Sequence, residues 1–264
     1  MALKQHKDDK VRYDQQVDNS ESDIIPFLEK TIAIKPGVRV FDLGTGEGGV
    51  LIPFLKRGCY CVGVDLSQIR IDLANEFLAD EVAAGKAKFI CQNILENSFY
   101  KEYNHSFDVI ILKDVIEHIP DQEKFIPYLA EFLAPGGQIF FGFPPWCMPF
   151  GGHQQACHVK WLSVLPYYHL LPGFLYKAVL KLGGEDDVVT AEMMEVKSTG
   201  ISIHRFERII KRNNLKVLNK AHYLINPIYR YKFGLKPKLQ FKFIEVIPWF
   251  RDFFTTCVYY TIGK

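Results

Sequence analysis

Several features that mark other classes of protein are missing from this sequence of 264 residues. Its six cysteines form no Cys-x-x-Cys pair, which argues against a compact zinc or thiol-redox motif. No run of about 18 uninterrupted apolar residues occurs, and the polar amino terminus contains no apolar stretch of signal-peptide length. We therefore expect a cytoplasmic protein with reduced, buried cysteines and without a transmembrane helix.

Sequence motifs of two enzyme classes are also absent. The chain has no Gly-x-Ser-x-Gly sequence, which forms the nucleophile turn of many hydrolases. Its glycine-rich turn lacks the Lys-Ser/Thr pair that a phosphate-binding loop requires. What the chain does contain is 48% hydrophobic and 23% charged residues, proportions typical of a folded protein. Its length fits one large domain, or one domain that carries a sizeable insertion.

The formal net charge of +2 is unevenly distributed along the chain. Residues 201–264 contain 13 Lys and Arg against 3 Asp and Glu, whereas residues 1–200 contain 19 against 27. A basic region of this kind can bind nucleic acid or anionic lipid, but a solvated basic face is the commoner cause. We therefore do not expect a nucleic-acid partner.

Residues 38–49, VRVFDLGTGEGG, predict a buried strand, a glycine-rich turn and a helix that begins near Val50. Glycine permits close approach of the backbone, and the unpaired N–H groups at the start of a helix point into such a turn. The turn therefore suits a nucleotide-like cofactor. Gly44, Gly46 and Gly49 also fit the Gly-x-Gly-x-x-Gly pattern of dinucleotide-binding folds, so an NAD(P)-dependent oxidoreductase is one alternative.

Two acidic residues bear on the choice of cofactor. Asp42 stands two residues before the first glycine, where a carboxylate would disfavour a pyrophosphate but would suit a positively charged ligand. Asp65 ends a second strand-like run, residues 61–65, and follows Gly46 by 19 positions. An acid about 20 residues after such a turn receives ribose hydroxyls. A helix-capping role is the alternative for Asp65, but the spacing favours ribose binding.

The residues Asp42, Gly44, Gly46 and Gly48, spaced two apart, resemble motif I of the class I S-adenosylmethionine (SAM) methyltransferases. In that family the turn lies beside the methionine part of SAM, whose ammonium and sulfonium groups are positive. The resemblance implies SAM as the cofactor. Specific motifs support the resemblance over residues 36–143. Over the rest of the chain only the expected topology supports it.

Further site residues follow from the same resemblance. Family members commonly hold the adenine amino group with an acid after strand three; Asn93 departs from this pattern, although its amide oxygen can accept the same hydrogen bond. A purely turn-forming role for Asn93 is equally open. After strand four, small-molecule members often have an acidic residue and a Glu-His pair, here Asp114 and Glu117-His118. The cofactor-binding residues that we expect are Asp42, Gly44, Thr45, Gly46, Gly48, Asp65, Leu66, Asn93, Ile94 and Asp114.

Strand-like runs alternate with helical segments along most of the chain, which predicts a parallel, doubly wound sheet. The expected fold class is α/β, with a Rossmann-like seven-stranded sheet that is mostly parallel and has its last strand antiparallel, as the resemblance implies. The seven strands are expected at residues 38–41, 61–65, 88–91, 107–114, 138–143, 215–218 and 255–261. We expect residues 1–19 to form a flexible amino-terminal arm and residues 20–264 to form the SAM-binding domain.

The regular alternation stops after strand five. Residues 144–199 are rich in proline, glycine and aromatic residues, at the place where family members insert substrate-binding lids. A packed structural subdomain is the alternative. Residues 161–182 are apolar enough for weak peripheral contact with a membrane, although their prolines prevent one long helix. In many relatives an amino-terminal segment folds over the SAM site, which makes Tyr13 a candidate cofactor contact.

Methyl transfer from a sulfonium is an in-line displacement with a neutral leaving group, so the enzyme mainly aligns a nucleophile and excludes water. His118 is the best candidate for a general base because an imidazole titrates near neutrality. His153 is a second candidate, and His158 a third. The spacing of the histidines in residues 151–158 matches no compact zinc pattern, so we expect no metal; a site completed in space by Asp114 or His118 is the alternative.

The Asn-Pro-Pro-aromatic signature of methyltransferases that act on nucleic-acid bases or on glutamine is absent after strand four. We therefore predict a SAM-dependent methyltransferase that acts on a small-molecule or lipid-like acceptor. Three alternatives stay open: an NAD(P)-dependent oxidoreductase, a SAM-binding protein without turnover, and an RNA methyltransferase that uses the basic carboxy-terminal region.

Overall fold

The computed structural model describes residues 9–264, and within this range one mixed sheet runs through the molecule. The strands are β1 (Arg39–Leu43), β2 (Tyr60–Asp65), β3 (Ala87–Cys91), β4 (Phe107–Lys113), β5 (Leu133–Phe143), β6 (Lys216–Ile225), β7 (Lys238–Leu239) and β8 (Cys257–Gly263). Their order across the sheet is β3-β2-β1-β4-β5-β8-β6-β7. The chain order of β1 to β5 reverses between β1 and β4, which is where ligands bind in doubly wound sheets.

Helices flank the sheet and fill its connections. They are α1 (Asp9–Asn19), α2 (Ile25–Leu28), α3 (Ile52–Lys56), α4 (Gln68–Phe77), α5 (Ala79–Ala83), α6 (Asn97–Tyr103), α7 (Gln122–Ala130), α8 (Lys160–Val164), α9 (Gly173–Leu182), α10 (Asp187–Thr199), α11 (Ile203–Arg212), α12 (Tyr229–Phe233), α13 (Lys242–Glu245) and α14 (Phe250–Phe254). A π-helical turn, Ser20–Ile24, joins α1 to α2, and short 3-10 turns occur at Gly49–Leu51, Ile116–His118, Gln154–Ala156 and Tyr168–Leu170.

The central strands are mainly apolar because both faces of the sheet are covered. Val40 and Phe41 are adjacent in β1 and both fully buried, yet they pack into different clusters. Successive side chains of a strand point to opposite faces, so the two clusters are the two sides of the sheet. The sheet therefore has a core on each face, and its carboxyl edge is left for a site.

The predicted α/β class is confirmed, but the prediction of seven strands is wrong, because eight occur within residues 9–264. The additional strand is β7, which is two residues long and pairs antiparallel with β6 at the sheet edge. So short a strand carries no detectable periodicity. The expected antiparallel last strand is present: β8 lies between β5 and β6 and runs antiparallel to both.

Residues 9–19 form the helix α1, where the sequence suggested part of a flexible, irregular arm; residues 1–8 of that arm lie outside the described residues. The helix has few apolar residues, so its sequence gives no periodic signal. It is instead held by contacts distant in sequence: Tyr13 is buried, and Gln16 accepts a hydrogen bond from the backbone of Gly49 over 3.2 Å.

The segment after β5 forms a small core of its own. Helices α8, α9 and α10 enclose a cluster of buried side chains that is separate from the two faces of the sheet. Its members are Cys157, Leu162, Tyr168, Tyr176, Leu180, Val189 and Met193. Within residues 9–264, no helix is both long enough and apolar enough to cross a membrane.

Candidate active site

The glycine-rich turn follows β1 and is tied to the end of β2. The N–H groups of Gly44 and Thr45 both donate to the carbonyl of Val64, over 2.8 and 3.0 Å. Gly44 has a φ of +74°, and a Cβ added there would lie 2.5 Å from Cγ2 of Val115. Only glycine meets both conditions without strain. The turn is therefore fixed in a shape that brings its backbone to the edge of the sheet.

Asp65 links the turn to the next helix. Its Oδ2 accepts a hydrogen bond from the N–H of Gly46 over 3.0 Å, and its Oδ1 accepts one from the N–H of Ser67 over 2.9 Å. A carboxylate has about four lone-pair positions, so each oxygen can accept one more hydrogen bond. The side chain is half-buried at the mouth of a pocket, where two further donors such as ribose hydroxyls can reach it.

A pocket of about 750 Å³ opens at the carboxyl ends of β1, β2 and β3. This volume lies in the range of sites for cofactors and small molecules. Its walls include six residues that the sequence analysis proposed for the site: Gly44, Asp65, Leu66, Asn93, Ile94 and His118. The other walls are mainly apolar, and Glu195 of α10 contributes a carboxylate from the segment after β5.

Asn93 combines a local turn contact with a place in the pocket wall. Its side chain lines the pocket, and its Oδ1 accepts a hydrogen bond from the N–H of Leu95 over 3.0 Å. The local turn is thus present. Because an amide oxygen has two lone pairs, it can still accept from a ligand.

Asp42 and Thr45 lie behind the turn rather than in the pocket wall. Both are buried; Oδ2 of Asp42 and the hydroxyl of Thr45 make no hydrogen bond of good geometry, although Thr45 is near enough to the Asp42 carboxyl to oppose the rise of its pKa. Burial raises the pKa of Asp42 to about 7, and the nearby Asp65 carboxylate adds to the rise. An unpaired buried acceptor is costly in a native protein and calls for a partner. A cation bound at the turn would be such a partner electrostatically, so these residues fit a positively charged ligand.

Helix α1 covers the outer side of the turn. Arg12 forms an ion pair with the fully buried Glu47, and Gln16 lies over Gly46 and Gly49. Tyr13, a candidate cofactor contact, packs edge-on against Phe77 with ring centroids 4.9 Å apart and does not line the pocket. The sequence analysis missed Arg12, Gln16 and Glu47, because nothing in α1 signals a helix and its partners are more than 30 residues away.

A second group of polar side chains lies beyond the end of β4. Glu117, His118 and His153 bring their side-chain ligand atoms within 4.8 Å of one another. The two imidazole rings meet edge-to-face with centroids 4.9 Å apart. Both oxygens of the buried Glu117 carboxyl lack a hydrogen-bond partner. The structure thus joins two of the three histidines that the sequence analysis named as candidate bases, and adds Glu117.

Burial sets the protonation of this group. The His118 side chain is exposed at the pocket, and partial desolvation there lowers its pKa below the usual value for histidine, against the opposing charge of Asp114. Burial lowers the pKa of His153 to about 4, and the neighbouring His118 contributes to the shift. Burial raises the pKa of Glu117 to about 8, with the Asp114 carboxylate adding to the rise. Near neutral pH both imidazoles are therefore uncharged and able to accept a proton.

Asp114 follows β4 in a left-handed backbone conformation, with φ of +56°. Its side chain is outward and paired with Lys113, and its N–H donates to the carbonyl of Gly142 over 2.7 Å. It does not line the pocket. Its charge instead acts on the neighbouring Glu117 and His118.

The segment after β5 positions His153 through a buried hydrogen-bond chain. His169 bonds to the carbonyl of Trp146 over 2.8 Å and to the side chain of Gln154 over 2.8 Å. Gly152 packs directly on the His169 side chain, where an added Cβ would lie 2.4 Å away. These contacts hold the backbone on either side of His153. His158, the third candidate base, is outside the group and pairs with Asp186.

Two histidines and a carboxylate are also a donor set that binds divalent transition metals. Within the described residues, Glu117, His118 and His153 are the group whose atoms are near enough for this. The ligand spacing along the chain is irregular, which is why no metal was expected from the sequence.

Comparison with known proteins identifies relatives of the amino-terminal part of the chain. The sequence model of a family described as a methyltransferase domain matches residues 13–163. A ubiquinone biosynthesis O-methyltransferase from Coxiella burnetii is 30% identical over 117 residues, which are 44% of this chain and 47% of that protein. The chain thus spans about half the length of the curated relatives that it matches.

Solved structures extend the likeness to nearly the whole chain at the level of the fold. A geranyl diphosphate C-methyltransferase from Streptomyces coelicolor, solved with Mg²⁺, geranyl diphosphate and S-adenosyl-L-homocysteine, superposes with a TM-score of 0.56 at 15% identity, covering 92% of this chain and 80% of that one. The [4+2]-cyclase SpnF superposes with a TM-score of 0.53 at 11% identity, covering 91% and 79%. One fold therefore carries more than one kind of reaction.

Proposed function

The chain belongs to the methyltransferase domain family, and from this premise we propose that it binds SAM and transfers the methyl group to a small-molecule or lipid-like acceptor. One observation carries the proposal: Gly44, Asp65 and Asn93 line a single pocket at the carboxyl ends of β1, β2 and β3. In our proposal Asp65 binds the ribose hydroxyls, Asn93 with Ile94 holds the adenine, and Leu66 packs beside it.

The turn and the residues behind it bind the methionine part of the cofactor. Gly44, Thr45, Gly46 and Gly48 shape the turn, and the buried, unpaired Asp42 provides negative charge for the ammonium and sulfonium groups. When bound, SAM supplies a methyl group that is attached to a positively charged sulfur. Transfer of this methyl group leaves neutral S-adenosylhomocysteine. A dinucleotide would instead bring its pyrophosphate to Asp42, so charge favours SAM over NAD(P).

We propose His118 as the general base. It lines the pocket, and its lowered pKa keeps the ring uncharged near neutral pH. A ring nitrogen of His118 accepts the proton of an acceptor hydroxyl as the oxygen attacks the methyl carbon. His153 packs against His118 and orients it, and Asp114 tunes both by its charge.

The walls of the pocket indicate the kind of acceptor. Val115, Ile119 and Phe125 extend the apolar lining beyond the glycine turn, and Glu195 closes the pocket from α10. We therefore propose that residues 144–199 act as a lid, which excludes water and contacts an acceptor that is mainly apolar. The named activity of the ubiquinone biosynthesis relative fits such an acceptor.

Thermal unfolding with added ligand tests the cofactor assignment. S-adenosylhomocysteine at about 100 times its dissociation constant should add roughly 2.7 kcal/mol, a shift of several degrees in a domain of this size. Asp65→Asn should reduce the shift, whereas Asp72→Asn, an exposed acid on α4, should leave it unchanged. A shift with NAD or NADP and none with S-adenosylhomocysteine would overturn the proposal.

Turnover separates an enzyme from a protein that only binds SAM. We expect release of S-adenosylhomocysteine from SAM when phenolic or other hydroxylated apolar acceptors are added, and none in the absence of acceptor. Binding without turnover across such a set would favour the non-enzymatic alternative. Activity on RNA that falls steeply with salt would favour the nucleic-acid alternative.

We also propose that the protein works in a reducing, cytoplasmic compartment. All six cysteines are free thiols, and four of them are buried. Alkylation of the protein, denatured directly after cell lysis, should find six free thiols. A disulfide would contradict this setting.

A further inference from the structure

The surface of the segment between β6 and β8 is apolar to an unusual degree. We define the carboxy-terminal patch as residues 233–254. In the described residues, 25 large apolar side chains are exposed, and 11 of them belong to this patch. They are Phe233, Leu235, Leu239, Phe241, Phe243, Val246, Ile247, Trp249, Phe250, Phe253 and Phe254. Scattered exposed residues need no explanation, but a concentration of this kind marks a site of interaction.

The patch reverses the usual arrangement of polar and apolar groups. Gln240, Arg251 and Asp252 are buried, and each is bonded to the body of the protein or to the patch backbone. Gln240 donates to the carbonyl of Phe254 over 2.7 Å, and Asp252 accepts from the N–H of Ile203 over 3.0 Å. These contacts hold the patch from the inside while its apolar side chains face outward.

The aromatic side chains of the patch form local clusters. The rings of Phe241 and Phe243 stack with centroids 5.7 Å apart, and those of Phe250 and Phe254 lie 4.9 Å apart. Helices α13 and α14, which carry most of these residues, are in contact. Phe243 is 67% exposed and Trp249 is 64% exposed. Such rings at an exposed surface are typical of segments that lie in the interface of a bilayer.

The exposed charges of the patch are all positive. Lys236, Lys238 and Lys242 are exposed among the apolar side chains. The two acids of the patch are directed inward: Asp252 is buried, and Glu245 lies 3.6 Å from the ring of His222. Lysines beside exposed aromatic residues match the negative charge of an anionic lipid surface.

We propose that the carboxy-terminal patch docks this protein onto the surface of an anionic lipid bilayer. A second copy of the chain is a poorer match, because a two-fold interface would bring the lysines of one patch against those of the other. Lysine is also depleted in protein–protein interfaces.

Co-sedimentation with vesicles tests the proposal without SAM, so its outcome is independent of methyl transfer. The wild-type protein should bind vesicles of phosphatidylcholine with phosphatidylglycerol and should bind pure phosphatidylcholine weakly. Lys236→Glu/Lys238→Glu/Lys242→Glu should lower the partition coefficient by about 100-fold, since each lysine contributes roughly a fivefold change. The charge-matched variant Lys86→Glu/Lys101→Glu/Lys211→Glu should change it by no more than about twofold.

The apolar contribution is tested by Phe243→Ser/Val246→Ser, which should lower binding by at least about tenfold. Both side chains are largely exposed, so thermal unfolding should show that the variant is folded. Phe174→Ser/Leu182→Ser changes two exposed residues of α9 and should leave binding unchanged. Loss of binding in the α9 variant alone would assign the membrane contact to residues 161–182 and overturn the proposal.

Two further results would overturn it. The first is equal sedimentation with anionic and neutral vesicles, or with none. The second is a wild-type dimer, measured by light scattering, that Phe243→Ser/Val246→Ser converts to a monomer while vesicle binding is absent throughout. That result would assign the patch to a second copy of the chain.

Discussion

The two sides of the pocket differ in how their polar groups are paired. On the side of β1 and β2, Asp65 accepts two backbone hydrogen bonds, and Gly44 donates to Val64. On the side beyond β4, both oxygens of Glu117 are buried without partners, and His118 and His153 contact each other only through their rings. Backbone hydrogen bonds thus hold the pocket wall on the first side, with the unpaired Asp42 behind the turn, whereas on the second side His118 lines the pocket and the unpaired Glu117 carboxyl lies behind it.

This difference separates two tasks of a transferase. Adjacent parallel strands fix the cofactor side, so it is preorganised for a ligand that is the same in every turnover. The acceptor side is assembled from β4, α10 and the segment after β5, which pack on one another through side chains. Such a surface can differ between proteins that share the fold. We therefore expect mutations on the two sides to have separable effects.

The largest effect should come from His118→Gln, on the acceptor side. Loss of the general base should lower turnover by about 10²- to 10⁴-fold. Affinity for S-adenosylhomocysteine should be unchanged, because the variant leaves the glycine turn intact. In the wild type, kcat/KM should fall at acidic pH with a pKa below that of free histidine, because partial desolvation of His118 favours the neutral ring.

His158→Gln is the matched control, since this side chain is 72% exposed and lies outside the group. It should keep both turnover and affinity. Parallel losses of turnover and cofactor affinity in His118→Gln would contradict the separation of the two sides.

The next effect should come from Gly44→Ala, on the cofactor side. A left-handed conformation costs a residue with a Cβ about 1–2 kcal/mol, and the close approach to Val115 adds to this, so we expect a loss of about 3 kcal/mol in the free energy of unfolding. Affinity for S-adenosylhomocysteine should fall as well. Urea denaturation and calorimetric titration measure the two quantities.

Gly136→Ala provides the comparison for strain alone. Gly136 has a φ of +78°, but an added Cβ would meet no atom within 4 Å. The Gly136→Ala variant should therefore lose only about 1–2 kcal/mol in the free energy of unfolding and keep its affinity for S-adenosylhomocysteine. Equal losses in the two variants would mean that contact with Val115 is unimportant.

The next effect, on the pH dependence of stability, should follow from Glu117→Gln. The raised pKa of Glu117, about 8, means that the folded protein binds more protons than the unfolded chain between about pH 5 and 8. The free energy of unfolding should thus fall as the pH rises through this window, by up to about 1.4 kcal/mol per unit. Glu117→Gln should remove this part of the slope, and the exposed Glu76→Gln should retain it. Identical slopes in all three proteins would refute the assignment.

The smallest expected effect is that of metal removal. Because we assign proton transfer to His118, turnover should be unchanged after treatment with a chelator and dialysis. A loss that Zn²⁺ or Mg²⁺ restores, and that His153→Gln abolishes, would instead make Glu117, His118 and His153 a metal site.

Much of the cofactor side could be predicted from the sequence. The strand, the glycines and Asp65 are close together in the chain, and their spacing reflects local geometry. The parallel, doubly wound part of the sheet also followed from the alternation of strands with helices. What could not be predicted was β7, which is too short to show a pattern, and α1, which is held by Glu47 and Gly49 rather than by its own apolar residues.

The acceptor side shows the limit of such reasoning. His118 and His153 were candidates by residue type, but their contact depends on how residues 144–199 pack, and no local signal specifies that packing. In the sequence, Glu117 was recognised only as part of a Glu-His pair. That its carboxyl is buried without a hydrogen-bond partner is a property of the folded protein. Glu195 was missed because a single acid on a helix is usually solvated.

The central claim is that one pocket, organised by Asp65 and the glycine turn, binds the cofactor. A crystal structure of the complex with S-adenosylhomocysteine tests it most directly. We predict ribose hydroxyls within hydrogen-bonding distance of the Asp65 carboxylate, with the adenine beside Asn93 and Ile94 and the amino-acid part at Gly44. An ordered ligand that contacts neither Asp65 nor the glycine turn would contradict the claim.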